Sequence, residues 1–388
     1  MIPYGRQDIN QQDINAVVEV LKSDFLTQGP QVPAFEQSII EACDAKYAVA
    51  VNSATSALHI ACLALGLGND DWLWTTPNTF VASANCALYC GAKVDFVDID
   101  PRTYNLCAKQ LEKKLIAAQK VGKLPKIVIP VHFSGQSCDM QAIHELAKKY
   151  GFSIIEDASH AIGGKYKGEP IGNSRYSDIT IFSFHPVKIV TSAEGGAAVT
   201  NRADLAEKML LLRSHGITRD EELMTQDMDG PWYYQQIALG FNYRMTELQA
   251  ALGLSQMQRL EAFVIKRNEL ASRYDNLLHD LPVTLPWQHP DSYSARHLYV
   301  IRLQLEQINI THLDVFNALR AAGIQANLHY IPVHMQPYYQ KMGFASGQFP
   351  EAEKYYKEAI SIPLFSAMTE GQQDTVCSTL KTILSKES

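Results

Sequence analysis

Between residues 47 and 200 the chain repeats one rhythm, a short apolar run of strand length followed by a longer stretch with helical periodicity. No other feature constrains the fold as tightly. Strands that alternate with helices pair in parallel and stack the helices against the sheet, which makes an α/β architecture with a largely parallel sheet. The strand candidates are YAVAV from Tyr47, DWLWTT from Asp71, KVDFVDI from Lys93 and KIVIPVHF from Lys126, then FSIIEDA from Phe152, DITIFSF from Asp178 and GAAVT from Gly196. Between them lie TSALHIACLAL, FVASANCALY and MQAIHELAKKY, which stop at Gly66, Gly91 and Gly151. Glycine at that position serves a left-handed helix cap.

After Thr200 the character changes. DLAEKMLLLRSHG reads as a helix, a loop rich in Asp, Gly and Tyr follows to about Gly240, and Thr246 to about Leu278 reads as one long helix. Pro282, Pro286 and Pro290 punctuate the chain before HLYVIRLQL opens a second, shorter α/β region. A chain of 388 residues holds one large and one smaller domain, and the expected division is 1–255 and 256–388.

Composition excludes several classes. A formal charge of -7 with no block of Lys and Arg argues against non-specific binding to nucleic acid. It leaves room for an anionic small molecule held by a few placed donors. No apolar stretch approaches a membrane span, and the start MIPYGRQDINQQDI lacks a basic, then apolar, leader. Seven scattered cysteines without a C-x-x-C pair fit a reducing cytoplasm. His132, His160, His185, His215, His329 and His334 never fall into a metal-binding spacing, so no metal site is expected. No G-x-G-x-x-G follows a strand, and Ser183 lacks the G-x-S-x-G setting of a hydrolase nucleophile.

Three segments carry residues suited to chemistry. Asn52-Ser53-Ala54-Thr55-Ser56 opens a helix after a strand; its amides suit a phosphate, although on this segment alone a plain helix cap is the better account. The strand FSIIEDA ends in Glu156-Asp157, where α/β proteins place ligands and where a carboxylate can keep a ring nitrogen protonated. In FSFHPVKIVTSAEGG, Lys188 stands among Val187, Ile189 and Val190; desolvation there favours a neutral amine and Schiff-base chemistry, whereas a lone lysine more often reaches solvent. A phosphate cradle, a strand-end carboxylate and a buried lysine together are the anchors of pyridoxal phosphate.

At these residues the chain resembles the DegT/StrS family of nucleotide-sugar aminotransferases. The likeness runs through LTQGPQVPAFE, NSATSALH, TTPNTFVASAN, EDASHAIGG, FSFHPVKIVTSAEGG, RSHGI and GFNYRMTELQAALGLSQ. It implies an aspartate-aminotransferase-like fold and bound pyridoxal 5'-phosphate. By the same resemblance Lys188 matches the lysine that bonds to the cofactor, Asp157 the carboxylate at the pyridine nitrogen, and His160 the group near the phenolic oxygen. Ala54, Thr55 and Ser183 match the phosphate site, and Phe80 an aromatic ring on the cofactor face. Asn242 matches a residue that reaches the neighbouring subunit's phosphate region, which implies a homodimer with shared active sites. Tyr4, Asp24, Phe25, Leu26, Thr27, His329, Tyr330, Ile331 and Pro332 match sugar-nucleotide contacts, to which Ala54, Ser183 and Asn242 also belong. Pro186 departs from the alanine of several relatives. RSHGITRD, DGPWYY and HYIPVHMQPYY resemble the branch that aminates a UDP-linked 4-keto-6-deoxy-N-acetylhexosamine from L-glutamate in pseudaminic acid synthesis. Amination of another keto-sugar (GDP-perosamine or 4-amino-arabinose type) and a cofactor-binding regulator without turnover are the alternatives. Keto-sugar dehydratases of the same fold carry histidine in place of Lys188.

Overall fold

The computed structural model describes residues 1–385. All seven strand candidates form one sheet: β1 (Tyr47–Val51), β2 (Trp72–Thr75), β3 (Lys93–Phe96), β4 (Ile127–Ile129), β5 (Ser153–Asp157), β6 (Ile179–Ser183) and β7 (Gly196–Thr200). Their order is β1-β7-β6-β5-β4-β2-β3. Neighbours from β3 through β6 are parallel, and β7 alone runs the other way, between β6 and β1. Helices cover both faces. One face packs Ile129, Ile155 and Ile181 against Leu58, Ile60 and Ala87, and the other packs Phe182, Ala197 and Val199 against Phe35 and Ile39. The helices Ala54–Ala64, Ala82–Tyr89 and Met140–Tyr150 end where expected, with Gly66, Gly91 and Gly151 at φ 74°, 75° and 78°.

One expectation fails. The stretch from Thr246 to Leu278 is two helices, Glu247–Met257 and Leu260–Leu278, broken at Gln258-Arg259. Tertiary contact imposes the break, since nothing in the local sequence forbids a helix there. Arg259 leaves helical geometry (φ -108°, ψ 6°) and its guanidinium reaches the Asp8 carbonyl at 2.8 Å and Asp13 Oδ2 at 2.6 Å. Buried Asp13 also accepts from Ser255 Oγ at 2.6 Å and Gln256 Nε2 at 2.7 Å, so the helix Gln11–Lys22 is clamped onto the junction.

The second helix of that pair serves two cores. Phe263 and Val264 pack with the seven-stranded sheet's layers, whereas Leu270, Tyr274 and Leu278 pack with a three-stranded antiparallel sheet of Val283–Thr284, Tyr299–Leu303 and Ala359–Ile362. Among the described residues no helix is long and apolar enough to cross a membrane.

Candidate active site

The carboxyl ends of β1, β5 and β6 open into a cavity of about 610 Å³. A larger groove of about 800 Å³ follows the β3 edge, but its most buried charges, Lys114 and Asp95, neutralise each other at 2.7 Å. The chemistry gathers in the first cavity.

Lys188 lies in the connection from β6 to β7. That connection is tied at its base by Phe184 N–H to the Gly195 carbonyl and Ser192 N–H to the Phe184 carbonyl, both 2.9 Å. Lys188 N–H donates to the His185 carbonyl at 2.9 Å, forming a tight turn that aims the side chain at the cavity it lines. Burial pushes the amine down from 10.5 to about 8, against the opposing pull of the Asp157 carboxylate.

Asp157 closes β5 and is buried. Its Oδ2 accepts from Ser83 Oγ at 2.6 Å and its Oδ1 from Ser159 N–H at 3.1 Å. Three residues on, His160 accepts the Ser134 N–H on Nδ1 at 3.3 Å, which leaves the ring proton on Nε2, 3.1 Å from Tyr330 Oη. Burial first, then Lys188 and His329, hold His160 well below the ordinary histidine range, so the ring is neutral. Ser134 itself has φ 60°, and its carbonyl accepts His297 N–H at 2.9 Å; one residue positions both imidazoles, whose centroids lie 4.3 Å apart.

The third anchor is the start of the helix Ala54–Ala64. Ser53 caps it by accepting Ser56 N–H at 3.1 Å, and the first-turn amides of Ala54 and Thr55 have no helical carbonyl to bond. β7 crosses directly beneath. A Cβ on Gly196 would stand 2.4 Å from the Ala54 nitrogen and 2.5 Å from the Ser53 carbonyl carbon, so only glycine fits there. These features fit pyridoxal phosphate: unpaired amides for its phosphate, a buried carboxylate for its ring nitrogen and a desolvated amine for its aldehyde.

Of the residues named from sequence, Tyr4, Ala54, Thr55, Phe80, Asp157, His160, Ser183, Lys188, His329 and Tyr330 line this one cavity. Others lie outside it. Asn242 is exposed and pairs with Ser214. Asp24, Phe25, Leu26 and Thr27 form an exposed loop held by the Leu26 carbonyl to Glu247 N–H at 3.0 Å. Ile331 is exposed and Pro332 is buried away from the cavity. Sequence reading missed His297, Asn327 and Glu194, which also line it. His297 carries no spacing signal, because a distant loop brings it beneath His160.

Comparison with known proteins agrees with this geometry. The model of the DegT/DnrJ/EryC1/StrS aminotransferase family matches residues 7–381. A UDP-4-amino-4,6-dideoxy-N-acetyl-beta-L-altrosamine transaminase of Campylobacter jejuni is 39% identical over 100% of this chain and 98% of its own. Among solved structures, Helicobacter pylori PseC, an aminotransferase of pseudoaminic acid biosynthesis, superposes with a TM-score of 0.89 at 31% identity, over 99% of both chains. Streptococcus pneumoniae Spr1654 in its PLP-form gives 0.87 at 28% identity, again over 99% of both chains.

Proposed function

This chain belongs to the DegT/DnrJ/EryC1/StrS aminotransferase family and is a pyridoxal-phosphate-dependent sugar aminotransferase; on that premise we propose that L-glutamate is its amino donor and a UDP-linked 4-keto-6-deoxy-N-acetylhexosamine its acceptor. The product is then UDP-4-amino-4,6-dideoxy-N-acetyl-β-L-altrosamine, the compound in the name of the Campylobacter relative. The observation that carries the catalytic part is the Lys188 amine, brought down to about 8 beside Asp157 and facing the cavity.

Bound pyridoxal phosphate supplies an aldehyde that condenses with amines and a protonated ring that takes up the electrons of a carbanion. Everything else falls to the chain. Ala54 and Thr55 amides with Ser183 would hold the phosphate, Asp157 would keep the ring nitrogen protonated, and Phe80 and His160 would bound the ring. Lys188 Nζ, neutral in a useful fraction near pH 7.5, removes the proton from the donor's α-carbon and returns one when the keto-sugar is aminated. Tyr4, His329 and Tyr330 form the wall against which the acceptor sugar rests. The homodimer reading gives Asn242 and the Asp24–Thr27 loop their place: both are exposed here and reach a neighbour's site.

The test is spectroscopic, then chemical. The cofactor-loaded protein should show a yellow absorbance band that bleaches with L-glutamate and returns on addition of the UDP-keto-sugar, with the amino-sugar found by mass spectrometry. Bleaching without amination of that sugar, but with amination of a GDP- or dTDP-linked one, reassigns the acceptor. Absence of amino transfer to every keto-sugar defeats the proposal and favours a regulator.

A further inference from the structure

His297 is buried to 4% exposure, lines the active cavity, and leaves Nδ1 enclosed without a hydrogen-bond partner. Nε2 has no protein partner either among the described residues. A phenyl ring would pack against His160 as well without bringing polar atoms that lack a partner, so the imidazole needs another reason to be there. The backbone here is heavily constrained: Ser134 accepts its N–H at 2.9 Å and Arg267 Nη1 donates to its carbonyl at 3.3 Å. An imidazole held this rigidly, with no partner inside the protein, is explained by a partner that arrives with the substrate.

We propose that His297 is a substrate-contacting residue whose Nε2–H donates to an oxygen of the molecule bound beside Lys188. The proposal rests on the aminotransferase reading and adds a contact to it. The neighbouring charges agree: burial first, then His160, Lys188 and Arg267 keep the ring neutral. Because Nδ1 is enclosed, Nε2 is the ring nitrogen left to meet a ligand, and it donates in the tautomer that carries the proton there. Among the described residues no lysine or arginine apart from Lys188 lines the cavity, which leaves this chain's neutral donors to meet substrate oxygens there. Two oxygen sources share this chemistry, the carboxylate of the amino donor and the carbonyl or hydroxyl oxygens of the sugar.

The experiment compares wild-type, His297→Phe and His297→Gln holoenzymes. Phe keeps an aromatic ring against His160, and Gln places an amide donor near the Nε2 position. Dissociation constants are read from the visible spectrum for glutarate, which has the donor's carboxylates but no amine, and for UDP-N-acetylglucosamine, which has no ketone. Single-turnover rates of each half-reaction accompany them. If His297 contacts the donor, Phe weakens glutarate about 10- to 100-fold, while Gln stays within a few-fold of wild type and UDP-N-acetylglucosamine is unaffected. The reverse pattern places the contact on the sugar. Phe binding both probes as wild type does, Phe and Gln failing equally, or wild type binding neither probe overturns the proposal. Failure of the function reading is separate, since it shows in wild type as absent amino transfer.

Discussion

At the scale of single residues, the site depends on keeping bases uncharged. Lys188 is the clearest case. At its ordinary value of 10.5 fewer than about one amine in a thousand is neutral at pH 7, whereas at about 8 roughly one in ten is. The sign follows: burial penalises the ammonium, so the neutral form gains as pH rises and saturates just above 8. Capture of pyridoxal phosphate by cofactor-free protein should therefore accelerate about tenfold per pH unit below 8 and level off above it. Stopped-flow absorbance from pH 6 to 10 measures this, with Lys188→Arg as the silent control. A rate still climbing tenfold per unit at pH 10 shows the amine to be unperturbed. Sequence disclosed this lysine because it stands in an apolar run, between Val187 and the pair Ile189 and Val190. It hid His297 because the group that gives it meaning, His160, lies far away in the chain.

At the scale of elements, legibility follows how local the determining physics is. Central strands such as Ile127–Ile129 and Ile179–Ser183 are buried on both faces and therefore read in the sequence as unbroken apolar runs, while the edge strand Lys93–Phe96 shows instead as an alternation of more exposed and buried residues. The break between Met257 and Leu260 is invisible there, because Asp13 and Asp8 make it from across the molecule. The crossing of β7 under the start of the helix Ala54–Ala64 falls between these cases. Its Gly195-Gly196 pair can be read, but its purpose cannot, since that purpose is the approach of Ser53 and Ala54. Gly196→Ala puts a methyl group against backbone atoms at 2.4 to 2.6 Å, and backbone cannot yield as a side-chain tip would. The helix start must move off the strand. The expected result is a loss of about 1–3 kcal/mol in stability and cofactor affinity reduced by tenfold or more. Thermal melts with and without cofactor, plus a cofactor titration, check it. An Ala variant that binds cofactor as wild type does would show the amide cradle to be unimportant.

At the scale of the whole molecule, the link between the two cores runs past the active site through Arg267. This residue sits on the helix shared by the cores, at 1% exposure, and has no carboxylate partner among the described residues. Burial alone lowers its guanidinium to about 10. Nη1 donates to three carbonyls, Arg296 and His297 at 3.3 Å and Leu364 at 3.1 Å, and no backbone donor in the loops claims any of them. It thus holds the loop that carries His297 against the segment that follows the small sheet's last strand. Arg267→Met separates two opposing terms. Methionine removes the cost of a buried charge, but it leaves three acceptors with nothing to bond, each worth about 1–3 kcal/mol. The acceptors win, because three carbonyls left without a donor outweigh the residual desolvation that the lowered guanidinium records. The expected net loss is about 2–4 kcal/mol, read as a lower urea midpoint. Because the same change frees the His297 carbonyl, the glutamate half-reaction should slow in the fraction that remains folded, while cofactor affinity, which the proposed phosphate site at Ala54 and Thr55 would set, should hold. A stability loss with unchanged half-reaction rates would confine Arg267 to joining the cores and detach it from the alignment of the site.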